Sequence, residues 1–134
     1  MYCLRAIIET NASNYSAYFE NFDGVGATGT SITEIKEKLS EAIEVLIETC
    51  KEMGHDIPEE LKDGYRIEFK MDVKSLLSVY NGIFTKSGLE RLTGINQKQL
   101  WHYANGLSKP RKAQIEKIES ALHRLGTELL AIQL

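Results

Sequence analysis

Long apolar runs are missing from this chain, and so is a basic-then-apolar leader at its N-terminus. The expectation is therefore a protein that neither spans a bilayer nor carries a secretory signal, placed in the cytoplasm. Cysteine is scarce: Cys3 and Cys50 are the only two, far apart and without metal-ligand spacing. They read as two reduced core thiols, a disulfide having no supporting context. Low-complexity segments and internal repeats are also lacking. What is present is an apolar share of 43% over 134 residues, enough for one domain of ordinary size or two small ones.

The net charge of -3 conceals a division. Residues 1–72 carry 7 Lys+Arg against 15 Asp+Glu, a net of -8, whereas residues 73–134 carry 9 against 4, a net of +5. A phosphate backbone is repelled by the first half and attracted by the second. Two modules are expected, with different kinds of partner and a boundary between residues 72 and 73.

The first module reads as a small sheet with one helix. YCLRAIIET favours a strand, NASN is turn chemistry, and in YSAYFENF the residues Tyr15, Ala17 and Phe19 alternate with Ser16, Tyr18 and Glu20. Together they predict an antiparallel hairpin. DGVGATGTS follows as a third strand, whose Gly24, Gly26 and Gly29 match no nucleotide fingerprint and suit a close-packed or bulged strand. Ser31 and Glu34 form a capping box for a helix from Ile32 to about Met53. Its apolar face is Ile32, Ile35, Leu39, Ala42, Ile43, Leu46, Ile47, Cys50 and Met53. Glu37, Glu41, Glu44, Glu48 and Glu52 take the opposite side, a solvated surface or, alternatively, a surface for a basic partner. In YRIEFKMDV strict alternation from Tyr65 to Val73 predicts a half-buried strand.

Catalysis is not expected from this half. A metal-dependent nuclease needs carboxylates converging from several strand ends, and Glu9 and Glu20 are too few. His55 sits in an acidic loop with no nucleophile or base beside it. No catalytic residue, metal or cofactor is assigned.

The second module reads as all-α. Asp72 caps VKSLLSVY, which Asn81-Gly82 ends, and Leu76, Leu77, Val79, Tyr80, Ile83 and Phe84 are core material. Thr85 caps a further helix that Gly94 ends; Ile95 is a buried wedge; Asn96 caps QKQLWHYANG, which stops at Gly106. Leu100 and Tyr103 should face the core. Two short capped helices around a glycine turn make a helix-turn-helix DNA reader. Gln97, Lys98, Gln99, Trp101 and His102 lie on outward faces, where Gln pairs with adenine edges and Lys reaches guanine or phosphate. Lys86, Lys109, Arg111 and Lys112 flank them as phosphate contacts, and Ser87, Asn96 and Ser108 complete the candidate DNA-binding set. Between Thr85 and Lys112 the only acidic residue is Glu90. Pro110 suits the first position of a long final helix. In that helix Ile115, Ile118, Leu122, Leu125, Leu129 and Ile132 recur at coiled-coil-like spacing, for packing on the module's own core or for a two-fold dimer contact.

These residues resemble the HicB-type antitoxins over nearly the whole chain. YSAYFENFDGVGATGTSITEIKEKLSEAIEVLIE is similar to that family's N-terminal module, and LERLTGINQKQLWHYANGLSKP to the Cro/repressor-type helix-turn-helix that many of its members carry. Gly94, Ile95, Asn96, Leu100, Tyr103, Gly106, Lys109 and Pro110 fall where that motif has its turn, cap, core and tail. The resemblance implies an α+β chain: a β-β-β-α-β, degenerate RNase-H-like toxin-binding module over residues 1–72, then a helix-turn-helix module over residues 73–134. It implies an antitoxin that blocks a small basic HicA-type ribonuclease toxin and, as a homodimer or higher oligomer, represses its own operon on double-stranded operator DNA. Where the motif has a small residue this chain has Glu90, which implies a slightly opened helix crossing or an outward tilt. Two other readings remain: a stand-alone regulator whose N-terminal module senses a ligand or mediates assembly, and an RNase-H-like enzyme.

Overall fold

Apolar residues on every second position draw the first strand together: Leu4, Ala6 and Ile8 are buried along β1 (Tyr2–Thr10). The computed structural model describes residues 1–10 and 13–134, and divides into two units, Met1–Met71 and Asp72–Leu134. The turn read at NASN begins with Asn11 and Ala12, which lie outside the described residues. The break falls one residue before the boundary drawn from charge, because Asp72 is the cap of the helix that follows it.

In the first unit β1 pairs antiparallel with β2 (Tyr15–Phe19), and β2 pairs antiparallel with β3 (Gly26–Gly29). On its other side β1 pairs parallel with β4 (Tyr65–Lys70), so the mixed sheet runs β3-β2-β1-β4. Register places Ala6 opposite Phe19 and Phe69, and Ile8 opposite Ala17. These residues make one apolar face, on which α1 (Ile32–Glu52) lays Ile35, Leu39 and Ile43, all fully buried. A side chain extends the ladder where β2 stops: Asn21 Oδ1 accepts from the Arg5 N–H at 3.0 Å, and Asn21 Nδ2 donates to the Cys3 carbonyl at 2.8 Å.

The glycines of β3 act by proximity. A Cβ on Gly26 would stand 3.1 Å from the Ala17 carbonyl, and one on Gly29 would stand 3.1 Å from the Glu34 carboxylate. The cap of α1 also differs from the expected box. Ser31 Oγ accepts from the Glu34 N–H at 3.1 Å as expected. Glu34, however, reaches past Ser31 and accepts from the Thr30 N–H at 2.8 Å and the Thr30 hydroxyl at 2.9 Å. Those bonds, with Lys38 at 3.1 Å, hold its carboxyl down at about 2, the Thr30 backbone N–H being the largest cause. Met53, expected on the apolar face, is the exposed C-cap instead. Glu37, Glu41, Glu44, Glu48 and Glu52 are exposed, and Glu44 accepts from the Tyr65 hydroxyl at 2.8 Å. Both cysteines are free and half-buried rather than deep in the core.

β4 ends at Lys70, short of the predicted alternation through Val73. Asp72 Oδ1 accepts from the Ser75 N–H at 2.7 Å and starts α2 (Val73–Val79), so Val73 is buried as a helix residue. In the second unit α2, α3 (Lys86–Thr93), α4 (Gln97–Ala104) and α5 (Lys112–Leu130) enclose Val73, Leu77, Leu89, Ile95, Leu100, Tyr103 and Ile118. Ile83, expected in this core, is 72% exposed on the loop after α2, while Phe84 beside it packs inward. Pro110 precedes rather than enters α5, whose N-cap is Arg111. Along the expected seam Ile118 is buried and Leu122 packs on the core, but Ile115, Leu129 and Ile132 are exposed. Ala121 takes the second buried place on α5. No described helix is long and apolar enough to cross a membrane.

Candidate nucleic-acid interface

Three local devices fix the α3–α4 pair. Thr85 Oγ1 accepts from the Gly88 N–H at 2.9 Å, and a Cβ on Gly88 would sit only 3.0 Å from that oxygen. At the other end Gly94 adopts φ 77°, the left-handed conformation that glycine takes without a Cβ penalty, and donates to the Glu90 carbonyl. Thr93 bridges the turn: its hydroxyl donates to the Leu89 carbonyl at 2.7 Å and accepts from the Ile95 N–H at 3.1 Å. Ile95 is thereby held in the core, as the wedge reading expects.

The start of α4 has two acceptors. Asn96 Oδ1 accepts from the Lys98 N–H at 2.8 Å, and Glu90 Oε1 accepts from the Gln97 N–H at 3.1 Å across the turn. Glu90 thus lies against the positive end of α4, where a carboxylate satisfies an otherwise orphan donor and complements the helix dipole. Where the resemblance implies an opened crossing or an outward tilt at Glu90, the structure gives this residue a bond to the helix it faces.

Helical spacing then sorts the side chains of α4. Leu100 and Tyr103 are buried, while Gln97, Lys98 and Trp101 are exposed on the other side, Trp101 at 50%. Gln99 and His102 stand at the boundary. Gln99 was expected to be free for base edges; it is half-buried and donates from Nε2 to Ser108 Oγ at 3.0 Å. Gln99 and Ser108 therefore tie α4 to the loop that follows it. The half-buried His102 ring stands 5.8 Å from that of Trp101 at a steep angle. Asn96 is exposed with its oxygen committed to the cap, and the Ser87 and Thr85 hydroxyls share a bond at 3.3 Å. Lys86 is half-buried, whereas Lys109, Arg111 and Lys112 are exposed.

Every ion pair among the described residues lies in the first unit, so no Lys or Arg of the second has a carboxylate within pairing distance. Their charge is uncancelled by contact pairing, which leaves a positive potential around α3, α4 and the loop to α5. Lys74 joins that group and was missed from the sequence, where it reads as an ordinary residue of a packing helix. Its side chain runs beside Gly106, close enough that a Cβ there would meet Nζ at 3.2 Å. Asp72 registers the same cluster: its carboxyl is held below the usual range chiefly by its bonds to Ser75, with Lys74 and Lys109 adding to the effect.

A small apolar cavity of about 10 Å³ lies inside the second unit, lined by residues including Leu76, Tyr80, Phe84 and Leu122. It has the room of about one water, but its lining surface is almost wholly apolar. No group of three or more His, Cys, Asp or Glu placed to hold a metal occurs among the described residues. Comparison with protein-family models, with curated proteins and with solved structures returns no match for this chain.

Proposed function

We propose that the protein is an antitoxin and autorepressor: the second unit reads operator DNA, and the first binds and blocks a small basic ribonuclease toxin. One observation carries the DNA half. The face of α4 that bears Gln97, Lys98 and Trp101 is exposed, as are Lys109, Arg111 and Lys112 on the segment that follows, and among the described residues none of these cations is paired with a carboxylate. In the helix-turn-helix reading α4 enters the major groove, Gln97 and Lys98 meet base edges, and Trp101 lies against the sugar-phosphate wall. Lys86, Lys109 and Arg111 hold the register on phosphates. Ser87, Asn96 and His102 line the approach, while Gln99 and Ser108 support it through their mutual bond. The exposed apolar residues at the end of α5 suit the dimer that a palindromic operator requires.

The toxin half rests on the resemblance to the HicB-type antitoxins, supported by two features of the first unit. β1 lies between an antiparallel and a parallel neighbour, with α1 covering one face, which suits a degenerate RNase-H-like module. The exposed glutamates of α1 offer a basic partner a surface of opposite sign. Inhibition in this reading is steric and electrostatic, and the chain does no chemistry, takes no cofactor and acts in the cytoplasm.

The test has two arms. Gel shift against the chain's own promoter region should give a sequence-specific complex; binding no tighter than to random DNA refutes the repressor half. Co-expression with the neighbouring small basic open reading frame should give a complex and restore growth. The absence of both refutes the antitoxin half and leaves a stand-alone regulator.

A further inference from the structure

The sheet order leaves β4 at an edge. The bond from the Tyr2 N–H to the Gly64 carbonyl sets the phase of the parallel β1–β4 ladder. Even-numbered residues of β4 turn their backbone groups toward β1, and Tyr65, Ile67 and Phe69 turn theirs away, toward the open side. The same three side chains pack against the sheet core yet are only half-buried. On the other face Arg66, Glu68 and Lys70 stand exposed, and Arg66 pairs with Glu68 at 3.3 Å. An open edge of this kind is a template for another strand unless its side chains forbid the pairing.

Here the side chains select one pairing. The run Tyr65-Arg66-Ile67-Glu68-Phe69 reads aromatic, basic, aliphatic, acidic, aromatic, and so is complementary to itself when reversed. With two copies antiparallel and Ile67 opposite Ile67, Arg66 of each copy faces Glu68 of the other, and Tyr65 faces Phe69. The odd-numbered positions then fall on hydrogen-bonded pairs, as their outward N–H and C=O groups require. Arg66 and Glu68 fall on the closer, non-hydrogen-bonded pairs, where opposite charges gain most. Slipping the register by two residues sets Arg66 on Arg66 in one direction and Glu68 on Glu68 in the other, which is destabilising. A shift of one turns the outward backbone groups out of phase.

We infer that β4 is an interface between two copies of this chain, joining their sheets edge to edge across a two-fold axis centred on Ile67. Such a contact is isologous, each copy giving and receiving the same ion pairs. The inference stands apart from the DNA-binding reading, since it uses no residue of the second unit. It also adds a second self-association surface to the one offered by α5.

Sedimentation of the full chain measures it directly. The wild-type protein should run as an oligomer, and Arg66→Glu or Glu68→Arg should each lower the mass about twofold by setting like charges opposite one another. The exchange Arg66→Glu with Glu68→Arg restores complementarity in the same register and should restore the mass. Both sites are exposed, so circular dichroism should show the wild-type fold throughout; if one reversal fails to fold, the other and the double exchange decide. A monomeric wild type overturns the inference, and so does a mass that neither reversal changes. A double exchange that stays dissociated alongside folded single variants overturns it as well.

Discussion

Replacing Glu90 separates two explanations of a carboxylate beside a helix turn. If it intrudes on the α3–α4 crossing, removing it should stabilise the second unit; if it caps α4, removing it should cost stability. The 3.1 Å bond to the Gln97 N–H argues for the second outcome. Losing a capping acceptor costs about 0.5–2 kcal/mol, and a carboxylate at a helix N-terminus contributes about 0.3–1 kcal/mol through the dipole. Asn96 still caps the Lys98 N–H, so α4 keeps one of its two side-chain acceptors and the lower part of these ranges applies. Glu90→Ala should therefore cost about 1 kcal/mol, or roughly 4–8 °C in Tm for a unit of this size. Glu90→Gln keeps an acceptor and loses the charge, for about 0.3–1 kcal/mol. Trp101 is the only tryptophan and lies on α4, so its fluorescence in a urea titration reports on this unit alone. An Ala variant whose midpoint equals or exceeds that of wild type, at unchanged slope, refutes the capping argument. Glu90 is also the only acidic residue between Thr85 and Lys112, so Glu90→Gln should tighten binding to non-specific DNA at low salt while it weakens the fold.

Gln97→Ala should relax base preference by about 1–3 kcal/mol, whereas Lys109→Ala should weaken binding to all sequences and flatten the salt slope by about 1; identical behaviour in a gel-shift series refutes the placement of α4. Gln99→Ala should act differently from both, costing about 0.5–1.5 kcal/mol of stability through its lost bond to Ser108, as urea unfolding would show. The Glu34 carboxyl, held at about 2 in the fold against its ordinary 4.5, stabilises the start of α1 above the higher value. That contribution is lost as pH falls between them, so an acid titration should lose less in Glu34→Gln than in wild type. Burial and, after it, the bond to Glu44 push the Tyr65 hydroxyl up to about 12 from 10.0; its stabilisation is complete below 10.0 and lost as pH rises through the upper value. Tyrosinate absorbance should show one late-titrating phenol that Tyr65→Phe removes.

Much of this architecture could be read in advance because long periodic patterns leave few alternatives. The twenty-one residues of α1 and the alternation of β1 each commit many side chains to one face. Errors gathered where two periods meet. Val73 continues the alternation of β4 and equally opens the apolar face of α2, and only the Asp72–Ser75 bond decides between them. Gln99 sits at the edge of an eight-residue helix, where one position separates an outward from a half-buried residue. Its partner Ser108 is nine residues away in a loop, and nothing local announces the bond. The role of Glu90 was hidden for the same reason: its bond crosses a turn, seven residues ahead. Lys74 was overlooked because its neighbour is Gly106, a contact that no pattern of period two or 3.6 encodes.

Helix α5 carries a consequence for how this protein exchanges its amide hydrogens. Ile118 and Ala121 anchor its first half, while no residue after Leu125 is even half-buried and Leu130 is 89% exposed. Gly126 marks the change, a residue that weakens a helix interior by about 1 kcal/mol relative to alanine. The two halves should therefore have different lifetimes. Amides from Ile115 to Leu122 should open with the core of the second unit, and those beyond Gly126 by local fraying. Whatever covers Leu129 and Ile132 lengthens the protected segment toward the C-terminus. The last slow amide along α5 is then a ruler, reading from a single chain whether that end of the helix is occupied.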